Sequence, residues 1–108
     1  MAFKVVFAPE AQEQLVALYR YVADVASPKI AAHFTDAIIT YCEGLTVFPL
    51  RGAPRDDIRP GLRVSNYRKR TLIAFDVDGD TVSILGVFHG GQDFESALRE
   101  DEESHAGE

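Results

Sequence analysis

Val22-Ala23-Asp24-Val25-Ala26-Ser27-Pro28-Lys29-Ile30 is the joint on which the architecture turns. Ser27 is a helix-capping residue and Pro28 suits a first helical position, so a helix starts here. Upstream, Ala11, Leu15, Leu18, Val22 and Val25 recur every three or four residues. That is the apolar stripe of an amphipathic helix over about residues 9–26. Pro9 opens it, with Glu10 in the electrostatically favoured first turn. Downstream, Ile30, Phe34, Ala37, Ile38, Tyr41, Leu45 and Phe48 form a second stripe that Pro49 stops. Two such helices with almost no linker fold back on each other as an antiparallel hairpin.

Strand signals flank the hairpin. Phe3, Val5 and Phe7 alternate with Ala2, Lys4 and Val6, which predicts a short strand with one apolar face. Pro49, Gly52, Pro54, Pro60 and Gly61 make 49–61 a loop. Leu62 to Tyr67 and Arg70 to Val77 follow as strands, then Asp78-Gly79 signals a tight turn into a strand over Thr81 to His89. Strict alternation puts Val82, Ile84, Gly86 and Phe88 on one face of that last strand and Leu85, Val87 and His89 on the other. The expected fold is α+β, in the order β-α-α-β-β-β. An N-terminal strand and an antiparallel two-helix hairpin precede a three-strand antiparallel meander. The helices pack on one sheet face and leave the other open to water or to a partner.

The 108 residues fit a single domain over 1–98, with 99–108 as an acidic tail expected to be disordered. Hydrophobic residues at 46% allow a core that needs no metal or disulfide, and the lone Cys42 cannot form an internal disulfide. Cys42, beside Tyr41 in the second helix, reads as a small packed residue. No apolar run approaches the ~20 residues of a membrane span, and the N-terminus does not resemble a secretory signal. The expected location is therefore cytoplasmic. Around Gly79, Asp76, Asp78 and Asp80 suggest a calcium loop, but Thr81 and Val87 stand where it needs glycine and glutamate. No metal or cofactor is expected.

Net charge is −6, which argues against general nucleic-acid binding, yet the charge is unevenly spread. Residues 51–70 carry seven of the eleven bases: Arg51, Arg55, Arg59, Arg63, Arg68, Lys69 and Arg70. The tail carries Glu100, Asp101, Glu102, Glu103 and Glu108. A local basic stretch can steer an anionic partner even when the total is negative. Within Pro54 to Arg63, Arg59 and Arg63 either pair with Asp56 and Asp57 to pin the loop, or, with Arg68 and Arg70, offer guanidinium groups to a partner's carboxylates or phosphates. On this reading Lys69 alternates away from the sheet bases. His89, ahead of Gly90-Gly91, is either a structural histidine or a general acid–base.

Four stretches carry a family resemblance: Phe7-Ala8-Pro9-Glu10-Ala11, Phe48-Pro49, Pro54 to Arg63, and Val82-Ser83-Ile84-Leu85-Gly86-Val87-Phe88-His89-Gly90 ahead of Asp93. In order and spacing the chain resembles the ParE branch of the RelE/ParE superfamily, the toxins of bacterial toxin–antitoxin modules. Departures are Ala8, where relatives have a capping serine or threonine worth ~1 kcal/mol of helix stability, and Phe75-Asp76, where many have a tyrosine–arginine pair. The acidic tail matches nothing in the family.

The resemblance implies a toxin that poisons DNA gyrase by binding it, with no catalytic residues of its own. RelE-like relatives instead cleave messenger RNA on the ribosome. The corresponding set here would be Arg63, Arg70 and His89, with a divergent toxin acting on another target as a further alternative. A pI of about 5.0 weighs against holding RNA, and no sequence-specific nucleic-acid binding by the toxin alone is implied. The implied partner is a ParD-like, DNA-binding antitoxin whose acidic C-terminal segment adds a helix or strand to the toxin. Arg55, Arg59, Arg63, Arg68 and Arg70 are the expected antitoxin contacts; His89, Gln92, Asp93, Phe94 and Leu98 are the expected target contacts.

Overall fold

The structure, a computed structural model, describes residues 3–47, 49–90 and 98. Strand β1 (Lys4–Phe7) leads into helices α1 (Pro9–Val25) and α2 (Pro28–Glu43), followed by a 3-10 turn over Gly44–Thr46. Strands β2 (Ala53–Pro54), β3 (Arg63–Tyr67), β4 (Thr71–Asp78) and β5 (Thr81–His89) complete the α+β fold. The helical joint forms as its sequence predicts: the Ser27 hydroxyl accepts the Ile30 N–H at 3.1 Å, with Pro28 in the first turn. Ala8 supplies no side-chain cap to α1.

The sheet is mixed rather than wholly antiparallel, in the order β1-β5-β4-β3-β2. β1 lies parallel to β5, with Val5 opposite Val82 and Phe7 opposite Ile84. Parallel neighbours need a long crossover, and the helical hairpin begins one residue after β1 ends. The two-residue β2, inside the segment expected to be a loop, adds a fifth strand against β3.

A β-bulge breaks the alternation expected of β5. Phe75 faces Ile84 and Ala74 faces Gly86, so Leu85 is the extra residue. Beyond it the faces exchange. Val87, opposite Ile73, joins Val82 and Ile84 in the core under the helices, while Phe88 enters a cluster on the opposite face. A Cβ at Gly86 would run into the Phe88 ring, which would have to move to admit it.

The main core joins Ala11, Leu18 and Val22 of α1 to Ile73 and Phe75 of β4. From α2 it takes Ala31, Ile38 and Cys42, beside the buried Thr35, a stripe one position round from the one expected. Ile30 is exposed, and Phe34 and Tyr41 flank the contact half-buried. The small side chains of Ala31 and Thr35 suit close helix packing, and the Thr35 hydroxyl is satisfied by the Ala31 carbonyl at 3.0 Å. On the other sheet face a second cluster holds Ile58, Leu62, Ala74, Phe88 and Leu98. That face is therefore not open as expected: loop residues 58 and 62, together with Leu98, cover part of it.

Candidate functional site

The basic residues separate into two groups. The loop leading to β3 is fixed internally: Ile58 N–H donates to the Arg55 carbonyl, Leu62 N–H to that of Arg59, and Gly61 N–H to the Asp56 carboxylate at 2.9 Å. Arg55 forks onto Asp57 at 2.9 and 3.0 Å. Arg59 lies near Asp76; burial pushes that carboxyl's pKa up, Arg59 pulls it down and Asp78 adds to the rise. Arg63 turns away from the loop aspartates. Its guanidinium donates to three successive carbonyls, Leu50 at 2.5 Å, Arg51 at 3.2 Å and Gly52 at 3.3 Å. It straps the 50–52 segment to β3.

The second group is a turn. Arg68, Lys69 and Arg70 connect β3 to β4 and are all exposed. Arg68 sits at φ 56°, a left-handed conformation that ends the strand and with it the alternation that set Lys69 apart. Lys69 therefore belongs to the same basic turn, and of the three expected sheet arginines only Arg63 lies in a strand. Arg68 stacks over Tyr67 at 5.5 Å and donates to its hydroxyl. That hydrogen bond, first, and the Tyr67 charge, second, raise the Arg68 pKa. Tyr67 packs on Tyr41 at 4.8 Å between centroids, and Arg51 lies 5.8 Å over the Tyr41 ring. The Tyr41 hydroxyl is bonded to that of Ser65 at 2.5 Å.

Beside the basic turn lies a cleft of about 370 Å³ between α1 and the end of β5. Gln14, Leu18 and Tyr21 form its helical wall; Arg70, Val87 and His89 form the sheet side. The exchange of faces at the bulge is what brings His89 here. Its Nδ1 lies 2.9 Å from the Thr71 hydroxyl and its ring meets Phe34 edge-on at 5.5 Å. Burial, first, and the Arg70 charge, second, hold its pKa below the ordinary histidine value.

Arg70 and His89 are therefore neighbours, whereas Arg63 is not. Arg63 pairs with Phe75, five residues along from Arg70, or ~16 Å of strand. Of the expected target contacts, His89 lines the cleft and Leu98 is buried in the second cluster; Gln92, Asp93 and Phe94 lie outside the described residues. Gln14 was not singled out by the sequence reading, although it lies three residues after Ala11 and four before Leu18, at the edge of the apolar stripe of α1. Among the described residues, no group of histidine, cysteine and carboxylate side chains is placed to hold a metal ion, and no helix is long and apolar enough to cross a membrane.

A helical hairpin on a mixed sheet, with a basic turn and a small cleft at one end, makes this a small α+β protein. The family model for the ParE toxin of the type II toxin–antitoxin system parDE matches residues 5–94. The chain belongs to this family of toxins. Among solved structures, it is similar to a chain of the chromosomal ParDE toxin–antitoxin system from P. aeruginosa, with a TM-score of 0.70 and 22% identity, over 82% of this chain and 96% of that one. It is also similar to a chain of the toxin–antitoxin complex RelBE2 from Mycobacterium tuberculosis, with a TM-score of 0.57 and 24% identity, over 82% of this chain and 99% of that one. No curated protein matches the chain.

Proposed function

We propose that this toxin acts by binding DNA gyrase in the cytoplasm and trapping it on cleaved DNA, and that a cognate ParD-like antitoxin neutralises it. The observation that carries binding over cleavage is the position of Arg63. RNA cleavage needs a base, an acid and a charge stabiliser converging on one phosphodiester. Arg63 is instead tied to the carbonyls of residues 50–52, ~16 Å of strand from Arg70 and His89. The basic turn Arg68-Lys69-Arg70 beside the cleft suits an acidic antitoxin segment.

The reading favours a protein target, and the test is direct. Purified toxin is added to gyrase, relaxed plasmid and ATP, followed by detergent and protease. Linear DNA is the expected product; unimpeded supercoiling with no linear DNA overturns the gyrase assignment. One observation favours ribosome-dependent RNA cleavage as a second reading, namely that Arg70 and His89 share the cleft. It requires cleaved message on translating ribosomes, lost in His89→Ala and Arg70→Ala.

A further inference from the structure

The acidic run Glu100-Asp101-Glu102-Glu103 begins two residues after Leu98. Leu98 is 4% exposed, in one cluster with Ala74 and Phe88 and with Leu72 packed at its rim. Leu72 pairs with Phe88 and lies two residues from Arg70. At ~3.3–3.6 Å per residue, the five steps from Leu98 to Glu103 reach up to ~17 Å. Leu72, at the rim of the cluster, is two residues or ~7 Å of strand from Arg70.

Charge selects among the bases within reach. Arg55 is already forked onto Asp57, and Arg59 lies near Asp76. Arg68, Lys69 and Arg70 are exposed, and no carboxylate among the described residues pairs with them. We propose that the acidic run of this chain's own C-terminal tail docks on the basic turn Arg68-Lys69-Arg70 and occupies it in the isolated toxin.

Individual exposed ion pairs are weak and salt-screened. Here four acids face three bases on a short tether, and a short flexible tether gives an effective concentration of about millimolar. A contact too weak to hold between separate molecules is then substantially populated. The tail competes with any acidic ligand of the turn. Where that ligand is the antitoxin, this consequence rests on the reading above; the intramolecular contact does not.

The test uses the full chain. A nitroxide is attached through Ser104→Cys, the buried Cys42 thiol being unreactive by comparison. Amide broadening is read by NMR in this chain and in the same chain with Glu100→Gln, Asp101→Asn, Glu102→Gln and Glu103→Gln. Broadening at residues 68–70 should fall two- to fivefold on neutralisation, and equally in 0.5 M salt. In parallel, the neutralised chain without nitroxide should bind a hexaglutamate peptide two- to tenfold more tightly than the unmodified chain. Broadening unchanged by neutralisation, or centred on residues 55–59, overturns the proposal, as does equal peptide affinity. None of these readouts involves gyrase or antitoxin, so a failed gyrase assay leaves them standing.

Discussion

The side-chain carbonyl of Gln14, in the middle of α1, accepts a 2.6 Å hydrogen bond from the backbone N–H of Val87, 73 residues away. The bond lies where two irregularities of the sheet meet. β1 ends at Phe7, with Ala8 N–H making the next bond to Ile84, so the edge of β5 beyond that point has no strand partner among the described residues. The bulge at Leu85 then sets Val87 towards the helices. Gln14 takes over the role of the missing strand, and the same contact helps form the cleft that holds His89.

Removing the acceptor while keeping the bulk should therefore be costly. Gln14→Leu leaves the part-buried Val87 N–H unsatisfied, at about 1–3 kcal/mol. For a domain of this size that lowers Tm by roughly 5–15 °C. Gln14→Glu keeps an acceptor oxygen at neutral pH and should retain most of the stability. Thermal unfolding of the two variants beside the parent checks this; equal losses would mean that the hydrogen bond is not what Gln14 contributes.

The sequence carried the helical joint, because Ser27 and Pro28 act locally and their neighbours alternate at a helical period. It also carried the strand order of the meander, through turn residues around Gly79. It did not carry the bulge: Val82 to His89 reads as unbroken alternation, and only pairing with β4 reveals Leu85 as extra. That error moved Val87 and His89 to the wrong face and Phe88 with them. Arg63 is a similar case. A charged residue at a strand start looks available to a partner, and nothing local shows that carbonyls of residues 50–52 will surround its guanidinium. The parallel pairing of β1 with β5 is non-local in the same sense.

Arg63 should act on the 50–52 segment before it acts on any partner. Arg63→Lys replaces a planar fork with a single ammonium that cannot reach three carbonyls in the same way. Amide exchange around residues 50–54 should accelerate at least tenfold in Arg63→Lys, with little change in α1 or α2. Arg68→Glu should leave that exchange unaltered while weakening the binding of an acidic peptide. If Arg63→Lys exchanges like the parent, the strap is dispensable and its guanidinium is available for another role.

His89 gives stability a pH dependence of definite sign. Its folded pKa lies below the ordinary 6.5, because burial and then the Arg70 charge disfavour the imidazolium. As pH falls through 6.5 the unfolded chain takes up the proton first, so this contribution to stability is lost between 6.5 and the lower folded value. Denaturant midpoints should therefore drop on acidification across that window, and the drop should shrink in His89→Gln. Arg70→Gln removes one of the two causes, so the His89 ring should titrate at higher pH by NMR. An unchanged titration would mean that Arg70 does not sense the imidazole.

Cys42 supplies an internal clock for opening of the helical core. It is fully buried in α2, and burial, with the Glu43 charge adding, pushes its thiol up to about 12. The thiolate is the reactive form. At pH 8 its fraction is then roughly a thousandfold below that of the thiol in the unfolded chain. Disulfide reagents should accordingly label native protein only through opening events that expose α2, with rates that track global stability across variants. Gln14→Leu should label faster in proportion to its lost stability, whereas Arg63→Lys, whose effect is confined to the 50–52 segment, should label like the parent. Rapid labelling of the parent, on the timescale of the unfolded chain, would show that α2 opens without the rest of the core.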